Sequence, residues 1–311
     1  MIRRRTLLGS ALAATAAIGL AACSDDATTG GASDGGGDAL DAVTVSDDLG
    51  SAPVVEFAAP LSIESPSSKV VVPGDGAAIA EGDTIVWRSL FVAGASGETL
   101  QSWWEGGPAG GLTLSTDTAG AEAVSFLTTA TVGSRVAMSG WQKDGSGAMV
   151  SLVQVADIDQ VVSPLRAEGA AAAPSGTYPA VTLGEDGAPA ISGPGEGEPP
   201  AATIVEPLIT GTGEKTAAGD YLVMQYTGWS WDDGEKFDSS WDRGAPFGFV
   251  QGQSQVIQGW DENLVGLPVG SQVMLVIPPA EAYGDDPAQH ELGGKTLVFV
   301  VDVLARGPRQ A

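Results

Sequence analysis

Short apolar runs separated by turn residues make up the C-terminal third of the chain. Three of them are rich in Val, Leu and aromatic residues and are bounded by Gly, Pro or Asp: 221–226, 271–278 and 295–304. Runs of this kind are typical of β-strands. One short helix is predicted at 260–265, ended by Gly266 and Pro268. Antiparallel strands around one short helix make an α+β arrangement.

The same pattern occurs earlier in the chain, at a constant offset. Three separated blocks keep one register: 82–86 with 219–223, 97–102 with 234–239, and 132–136 with 269–273. Leu152-Val153 then matches Leu297-Val298 at a larger offset, so the first copy is eight residues shorter before its last strand. A register shared by separated blocks indicates an internal repeat. The sequence therefore predicts two domains with the same fold.

Composition divides the remainder of the chain. Residues 24–42 have almost no apolar content, which is typical of a flexible tether. An Ala-rich stretch and a passage rich in Gly, Pro and Glu lie between the two copies, at 167–174 and 193–200. The predicted divisions are a signal segment, a tether, a first domain, a linker with an N-terminal extension, and a second domain: 1–22, 23–42, 43–165, 166–201 and 202–311.

The N-terminus has the pattern of an export signal. Arg3-Arg4-Arg5 precede an apolar run from Leu7 to Leu20, which is short for a membrane-spanning helix. Leu20-Ala21-Ala22-Cys23 resembles a bacterial lipobox, in which the Cys becomes the lipidated first residue. Lipidation gives a role to Cys23, the only Cys of the chain, which has no partner for an intramolecular disulfide. We therefore expect an extracytoplasmic protein anchored to the cell membrane by acyl chains. An ordinary cleaved signal is the alternative, and both the Sec and twin-arginine routes fit.

Charge excludes one class of partner. The chain has 39 acidic and 14 basic residues, a formal net charge of −25 at pH 7. Such a surface repels phosphate backbones, so nucleic acid is not expected as a partner. It is equally unsuited to attraction by anionic lipids, which leaves the acyl chains as the membrane anchor.

Candidate chemistry is concentrated in the second copy. An acid, an Arg and several aromatic residues recur within a short region, in four motifs: Gln225-Tyr226-Thr227-Gly228, Phe237-Asp238-Ser239-Ser240-Trp241-Asp242-Arg243-Gly244, Val256-Ile257-Gln258-Gly259-Trp260 and Ala282-Tyr283-Gly284. Together these motifs resemble the FK506-binding-protein (FKBP) family of peptidyl-prolyl isomerases over about residues 202–307.

The resemblance implies a half-barrel sheet curled around a short helix, with a proline-binding cavity between them. The residues at family pocket positions are Tyr226, Phe237, Asp238, Arg243, Phe247, Val256, Ile257, Trp260, Tyr283 and Phe299. Trp260 would form the floor of the pocket. The N–H of Ile257 and the hydroxyl of Tyr283 would hold substrate carbonyls. The expected partners are proline-containing polypeptides and FK506-like macrocycles.

Isomerisation of an X–Pro bond breaks no covalent bond, and the obstacle is the amide rotation barrier of roughly 18–20 kcal/mol. A twisted amide is less polar than a planar one, so an aromatic, water-poor pocket favours the twisted state. This chemistry requires no cofactor. No metal is expected either, because the aspartates near predicted turns (Asp232, Asp233, Asp285 and Asp286) do not have the spacing of a Ca²⁺ loop.

The flap between Gly284 and Thr296 departs from the family pattern. It lacks the usual apolar pair before a Pro-Pro turn, which leaves Leu292 as the one bulky apolar residue able to cover a proline. His290, the only His of the chain, lies in this flap and is expected to be a solvated loop residue.

The first copy lacks the pocket residues. Ser89, Gln101, Gly107, Gly110 and Ala123 stand at the positions of Tyr226, Asp238, Gly244, Phe247 and Trp260. We expect this copy to keep the fold, to have an emptied pocket and to be non-catalytic. For the whole chain the alternatives are a non-enzymatic chaperone or binding lipoprotein that holds Pro-containing segments, and a surface scaffold.

Overall fold

The computed structural model describes residues 38–309 apart from 145, 174, 176 and 177, and it contains two antiparallel sheets of the same design. The N-terminal part is a hairpin of β1 (Thr44–Val45) and β2 (Val55–Glu56). The first sheet contains β3 (Ser67–Val72), β4 (Thr84–Ala93), β5 (Thr99–Ser102), β6 (Gly110–Thr113), β7 (Arg135–Lys143) and β8 (Met149–Val162). Its helices are α1 (Thr116–Ala119) and α2 (Ala121–Leu127).

The second half begins with three short strands, β9 (Ala170–Ala171), β10 (Val181–Leu183) and β11 (Pro189–Ile191). The second sheet adds β12 (Ile204–Thr210), β13 (Tyr221–Ser230), β14 (Lys236–Ser239), β15 (Phe247–Val250), β16 (Gln272–Ile277) and β17 (Leu297–Arg306). Its helix is α3 (Gln258–Asn263). Short 3₁₀ helices occur at Ala39–Ala42, Trp103–Glu105 and Pro279–Glu281.

The two sheets have the same strand order. The first is β3-β7-β8-β4-β5 with β6 beside β4, and the second is β12-β16-β17-β13-β14 with β15 beside β13. The bounds of β4 and β13 keep the register predicted for the repeat. The connection between β7 and β8 is short, whereas the long segment 278–296, which includes the flap, separates β16 from β17. The α+β class and the two domains of one fold are therefore confirmed.

Helix α3 begins two residues before the predicted start. Ile257 is still extended (φ −61°, ψ 151°), and its carbonyl accepts hydrogen bonds from Trp260 N–H at 2.9 Å and Asp261 N–H at 3.0 Å. The helix ends before Gly266, which has φ 83° and so adopts the left-handed region that favours glycine. The predicted helix was correct in type and displaced in position.

Each sheet is covered on both faces. In the second domain one face packs on α3, and the other packs against Tyr178, Val181 and Ile191 of the extension. In the first domain the outer face is covered by residues 40–63 in the same way. Because both faces are buried, β13 and β17 have nearly continuous burial instead of alternation.

The structure corrects the predicted tether at its end. Ala39–Ala42 form a 3₁₀ helix capped by the Asp38 side chain, and Leu40 is fully buried against the first sheet. Val43 is buried in the same cluster, and Lys69 Nζ donates hydrogen bonds to the carbonyls of Leu40 at 2.6 Å and Val43 at 3.0 Å. In the predicted linker, β9 pairs with β12, and the β10–β11 hairpin packs on the second sheet.

The two domains contact each other through an apolar cluster. Val86 of β4 and Val223 of β13, which are equivalent positions in the repeat, are both in this cluster with Tyr221. The Tyr221 hydroxyl bonds to the backbone of Gly111, and burial raises the pKa of Tyr221. A Cβ on Gly248 would clash with the same hydroxyl, so only glycine fits there. Strand β15 therefore contacts the domain interface through Gly248 and presents Phe247 on its other side.

Candidate functional site

Four aromatic side chains from four elements form a box in the second domain. Tyr226 comes from β13, Phe247 from β15, Trp260 from α3 and Phe299 from β17. Trp260 is 4% exposed, and its ring centroid lies 5.2 Å from that of Tyr226, 5.3 Å from that of Phe299 and 6.4 Å from that of Phe247. All three contacts with Trp260 are edge-to-face, an arrangement that the ring quadrupoles favour. The four rings therefore form one packed apolar cluster centred on Trp260.

A glycine makes the approach of two of these rings possible. Gly228 of β13 is paired with Phe299 of β17. A Cβ on Gly228 would lie 2.8 Å from the Phe299 ring and 2.6 Å from the Phe237 ring. The centroids of Phe237 and Phe299 are 5.5 Å apart in an edge-to-face contact. Glycine at position 228 thus allows an aromatic wall to lie directly on the strand.

Two charged side chains, Asp238 and Arg243, fix the Tyr226 side chain. Its hydroxyl donates a hydrogen bond to Asp238, and Arg243 donates one to the same carboxylate. Arg243 also donates to the Tyr226 hydroxyl at 2.8 Å, and its guanidinium lies 5.3 Å from the ring centroid. Burial, followed by the hydrogen bond to Asp238, raises the pKa of Tyr226, so the phenol stays protonated. The side chains of Asp238 and Arg243 are themselves about half exposed.

The loop before α3 provides a backbone donor at the edge of the box. Val256 and Ile257 are partly buried and pack against the aromatic cluster. None of the described residues accepts a hydrogen bond from the Ile257 N–H. The Asp261 carboxylate holds the loop by accepting hydrogen bonds from Gly252 N–H at 2.7 Å and Ser254 N–H at 2.9 Å. The Ile257 N–H therefore lies on a loop that is held in place by hydrogen bonds and whose side chains pack against the aromatic cluster.

The flap contributes Tyr283 and Leu292. Leu292 is partly buried against the aromatic cluster, and Tyr283 is 38% exposed. Partial burial, followed by the charges of Asp238 and Glu291, raises the pKa of Tyr283. The Tyr283 hydroxyl is therefore a proton donor at neutral pH. A polar donor and an apolar side chain thus lie together on one loop.

The structure brings the sequence-predicted residues of the second domain into one region: Tyr226, Phe237, Asp238, Arg243, Phe247, Val256, Ile257, Trp260, Tyr283, Leu292 and Phe299. Their catalytic and substrate-binding roles remain predictions. Cys23, the predicted lipidation site, lies outside the described residues.

Sequence reasoning missed two supporting residues and the role of His290. Phe249 stacks on Phe247 with centroids 5.7 Å apart, which the alternation of Phe247-Gly248-Phe249 could have indicated. The buried Ser240 hydroxyl accepts a hydrogen bond from the Tyr226 N–H at 2.8 Å and donates one to the Gln225 side chain. The His290 ring lies on the Tyr283 ring, contrary to the expected solvated loop histidine.

The equivalent space in the first domain is filled rather than emptied. Ser89, Gly110 and Ala123 replace three of the four aromatic residues, and the buried Gln154 stands at the position of Phe299. The indole of Trp87 lies where a side chain on Gly110 would be. A Cβ on Gly110 would lie only 2.6 Å from Trp87 Nε1. Phe91, which stands where the second domain has Gly228, is also part of this core. Larger side chains at neighbouring positions thus take up part of the volume of the missing aromatic rings.

The aspartates near turns cap those turns. Asp233 accepts a hydrogen bond from Glu235 N–H at 2.9 Å, and Asp286 accepts one from Ala288 N–H at 2.9 Å. Within the part of the chain that the structure describes, no group of three or more His, Cys, Asp and Glu residues could hold a metal ion. No helix in that part is long and apolar enough to cross a membrane.

Comparison with known proteins gives matches to one family. Residues 212–304 match the model of the family described as FKBP-type peptidyl-prolyl cis-trans isomerase. An FK506-binding protein of Streptomyces anulatus is 42% identical over 122 residues, which cover 38% of this chain and 95% of the relative. A probable FK506-binding protein of Corynebacterium glutamicum is 38% identical over 109 residues, 35% of this chain and 91% of the relative.

Two further matches span about half of the matched protein. FK506-binding protein 2B of Rhizopus delemar is 53% identical over 95 residues, which are 30% of this chain and 46% of that protein. A crystal structure of FkpA from Escherichia coli is 32% identical with a TM-score of 0.30, covering 41% of this chain and 52% of that chain.

Proposed function

This chain belongs to the FKBP-type peptidyl-prolyl cis-trans isomerase family, and on that premise we propose that its second domain isomerises X–Pro bonds in the box formed by Tyr226, Phe247, Trp260 and Phe299. The observation that carries this proposal is the box itself. Four rings from four elements form one apolar cluster, in which Trp260 contacts each of the other three.

The proposed mechanism uses binding energy to favour the twisted amide. The planar X–Pro amide is stabilised by resonance, and rotation about its C–N bond costs roughly 18–20 kcal/mol. In the box, the proline ring packs on Trp260 while the carbonyl before it rotates against aromatic edges instead of water. Because the twisted amide is less polar than the planar one, losing the hydration shell penalises the planar state more.

Polar groups at the rim hold the flanking chain during rotation. The Ile257 N–H and the Tyr283 hydroxyl donate hydrogen bonds to substrate carbonyls on either side of the rotating bond. The Asp238 and Arg243 pair keeps the Tyr226 ring in place as one wall. Fixing the flanks limits the motion to a single torsion, which lowers the entropy cost of reaching the twisted state.

We further propose that the substrates are exported proteins and that Cys23 carries the membrane anchor. The support is the order Arg3-Arg4-Arg5, the apolar run from Leu7 to Leu20 and the Leu20-Ala21-Ala22-Cys23 tetrad. Slow prolyl isomerisation limits the folding of many proteins, and an anchored isomerase would act where exported chains emerge. Labelling with a radioactive fatty acid tests the anchor: wild type would incorporate label and Cys23→Ser would not.

The isomerase proposal is tested by the cis–trans exchange rate of short X–Pro peptides. The full chain is expected to accelerate exchange, and Trp260→Leu to lose about 10- to 100-fold in kcat/KM, the effect of an altered apolar contact in a pocket. Trp104→Ala, at the matched position of Trp241 in the first domain, is the control and should retain full activity. Exchange at the uncatalysed rate with folded wild-type protein would refute the proposal.

A chaperone role without isomerisation is the competing function. It predicts that the same box binds Pro-containing peptides while their exchange rate stays unchanged. Binding measured by tryptophan fluorescence, together with the exchange rate in the same samples, separates the two functions.

A further inference from the structure

The imidazole of His290 lies flat against the phenol ring of Tyr283. The ring centroids are 3.9 Å apart and the planes differ by 3°. The flap makes this contact possible by folding back on itself: Gly294 N–H donates to the Gly284 carbonyl at 2.8 Å, and Gly293 N–H donates to the His290 carbonyl at 2.8 Å. The only histidine of the chain is therefore part of the candidate site.

The same imidazole also contacts the second flap residue of the site. Nδ1 of His290 accepts a hydrogen bond from the Leu292 N–H at 3.1 Å. The Leu292 side chain packs against the aromatic cluster of the box. One side chain thus joins the proposed hydroxyl donor, Tyr283, to the apolar residue that lies over the proline space.

Without the stacking contact from His290, the Tyr283 side chain would have no fixed orientation. It is 38% exposed, it follows a 3₁₀ helix in a long loop, and its hydroxyl must reach a substrate carbonyl at hydrogen-bond distance. The imidazole of His290, packed flat on one face of the Tyr283 ring, restricts the rotation of Tyr283 about its side-chain bonds. We propose, resting on the isomerase function proposed above, that His290 is a positioning residue that sets Tyr283 and Leu292 for substrate.

The hydrogen bond to Leu292 requires an unprotonated Nδ1, so the neutral imidazole carries its proton on Nε2. A second proton would convert Nδ1 into a donor and remove the acceptor for Leu292 N–H.

Activity of the full chain on X–Pro peptides tests the proposal. His290→Ala should lower kcat/KM about three- to tenfold, the range expected for losing an aromatic contact of this kind. His290→Phe keeps a flat ring and should retain at least half of the activity. Gln289→Ala, a neighbouring exposed flap position, is the control and should match wild type, while all variants should unfold at the same temperature.

One further readout separates positioning from general damage. On a Tyr283→Phe background, His290→Ala should cost less than twofold, because the hydroxyl that it positions is already gone. Equal activity of His290→Ala and wild type, or the same loss with and without the Tyr283 hydroxyl, would overturn the proposal. A wild type inactive on all peptides would instead refute the isomerase function.

Discussion

The Tyr226 hydroxyl donates a hydrogen bond to the carboxylate of Asp238, and this contact joins the wall of the aromatic box to its charged rim. Asp238 lies on β14 and Tyr226 on the neighbouring β13, where Asp238 is paired with Gly228. The two side chains therefore meet across adjacent strands, and Arg243 closes the group by donating to both. The arrangement explains why an acid and an Arg occur close together in the sequence beside an apolar pocket.

Asp238→Asn is expected to lower kcat/KM about three- to tenfold while leaving the fold intact. The amide still accepts a hydrogen bond from Tyr226, but the attraction to Arg243 is lost. Hydrogen bonds to charged groups contribute about 1.5–3 kcal/mol when buried, and the half exposure of this pair reduces that value. Steady-state kinetics and the thermal midpoint measure the two effects. Lys236→Ala, which removes a surface ion pair with Asp242, is the matched control and should change neither.

Gly228→Ala tests the close approach of the aromatic wall. The added methyl would lie 2.6 Å from Phe237 and 2.8 Å from Phe299, so at least one ring must move. We expect a loss of about 1–3 kcal/mol in the free energy of unfolding, as for overpacked cores, and a parallel loss of activity. Chemical denaturation and peptide exchange measure them. Gly244→Ala is an informative comparison: its φ of 67° strains the backbone, but nothing lies within 4 Å of a Cβ there. Gly244→Ala should therefore lose stability without displacing the rings.

At one equivalent buried position, the two domains pair an Asp with different residues, and this difference gives a third prediction. Asp157 pairs with the buried Arg135 in the first sheet, whereas Asp302 pairs with Gln272 at the equivalent strand register in the second. Arg135→Ala removes the closer of the two cations from the buried Asp157 and leaves Arg88 at 3.8 Å, and it should cost about 3–5 kcal/mol.

Arg135→Gln, which copies the second domain, should cost less than Arg135→Ala because Gln can donate to the carboxylate. Arg135 also donates to the carbonyls of Ser46 at 2.8 Å and Ser51 at 3.1 Å, so both variants should expose the β1–β2 segment to hydrogen exchange. Urea denaturation gives the order of stability. A more stable Arg135→Ala than Arg135→Gln would contradict the argument.

Asp302 makes stability depend on pH in mild acid. Burial raises the pKa of Asp302 from 3.8 to about 6, against the opposing hydrogen bonds from Ala167 N–H and Gln272 Nε2. The folded state therefore binds the proton more tightly than the unfolded state. The stabilisation is fully present below about pH 3.8 and is lost as the pH rises through about 6, a change of roughly 3 kcal/mol.

Asp302→Asn should remove this pH dependence from the second domain. The free energy of unfolding of Asp302→Asn would change less between pH 4 and pH 6 than that of wild type. Denaturation at a series of pH values, followed by tryptophan fluorescence, makes the comparison. An unchanged slope in Asp302→Asn would show that another group is responsible.

Much of the fold could be predicted because local patterns and the repeat agree. The strands β13, β16 and β17 are runs rich in Val, Leu and aromatic residues between turn residues, and a similar pattern recurs in β4, β7 and β8 of the first domain. The anchoring of Leu40 and the packing of the β10–β11 hairpin on the second sheet were not predictable, since both depend on contacts between residues far apart in the sequence.

The candidate site was predictable only where the resemblance supplied the positions. Spacing along the chain could not place His290 on Tyr283, because that contact depends on how the flap folds back. It also could not show that Trp87 and Phe91 fill the first domain, since the compensating residues lie at different positions from those that are lost. Only the three-dimensional structure shows that side-chain volume lost at one position is replaced by a larger side chain at another.

The cis–trans exchange rate of a short X–Pro peptide with Phe299→Gln tests the central claim most directly, because this substitution gives the second domain the residue that the first domain has at Gln154. The account predicts a loss of about 10- to 100-fold in kcat/KM for Phe299→Gln, as expected for removing an apolar contact from a pocket. It predicts unchanged activity for the converse variant Gln154→Phe, provided that both proteins remain folded. Full activity in Phe299→Gln, or a comparable loss in Gln154→Phe, would contradict the assignment of catalysis to the aromatic box of the second domain.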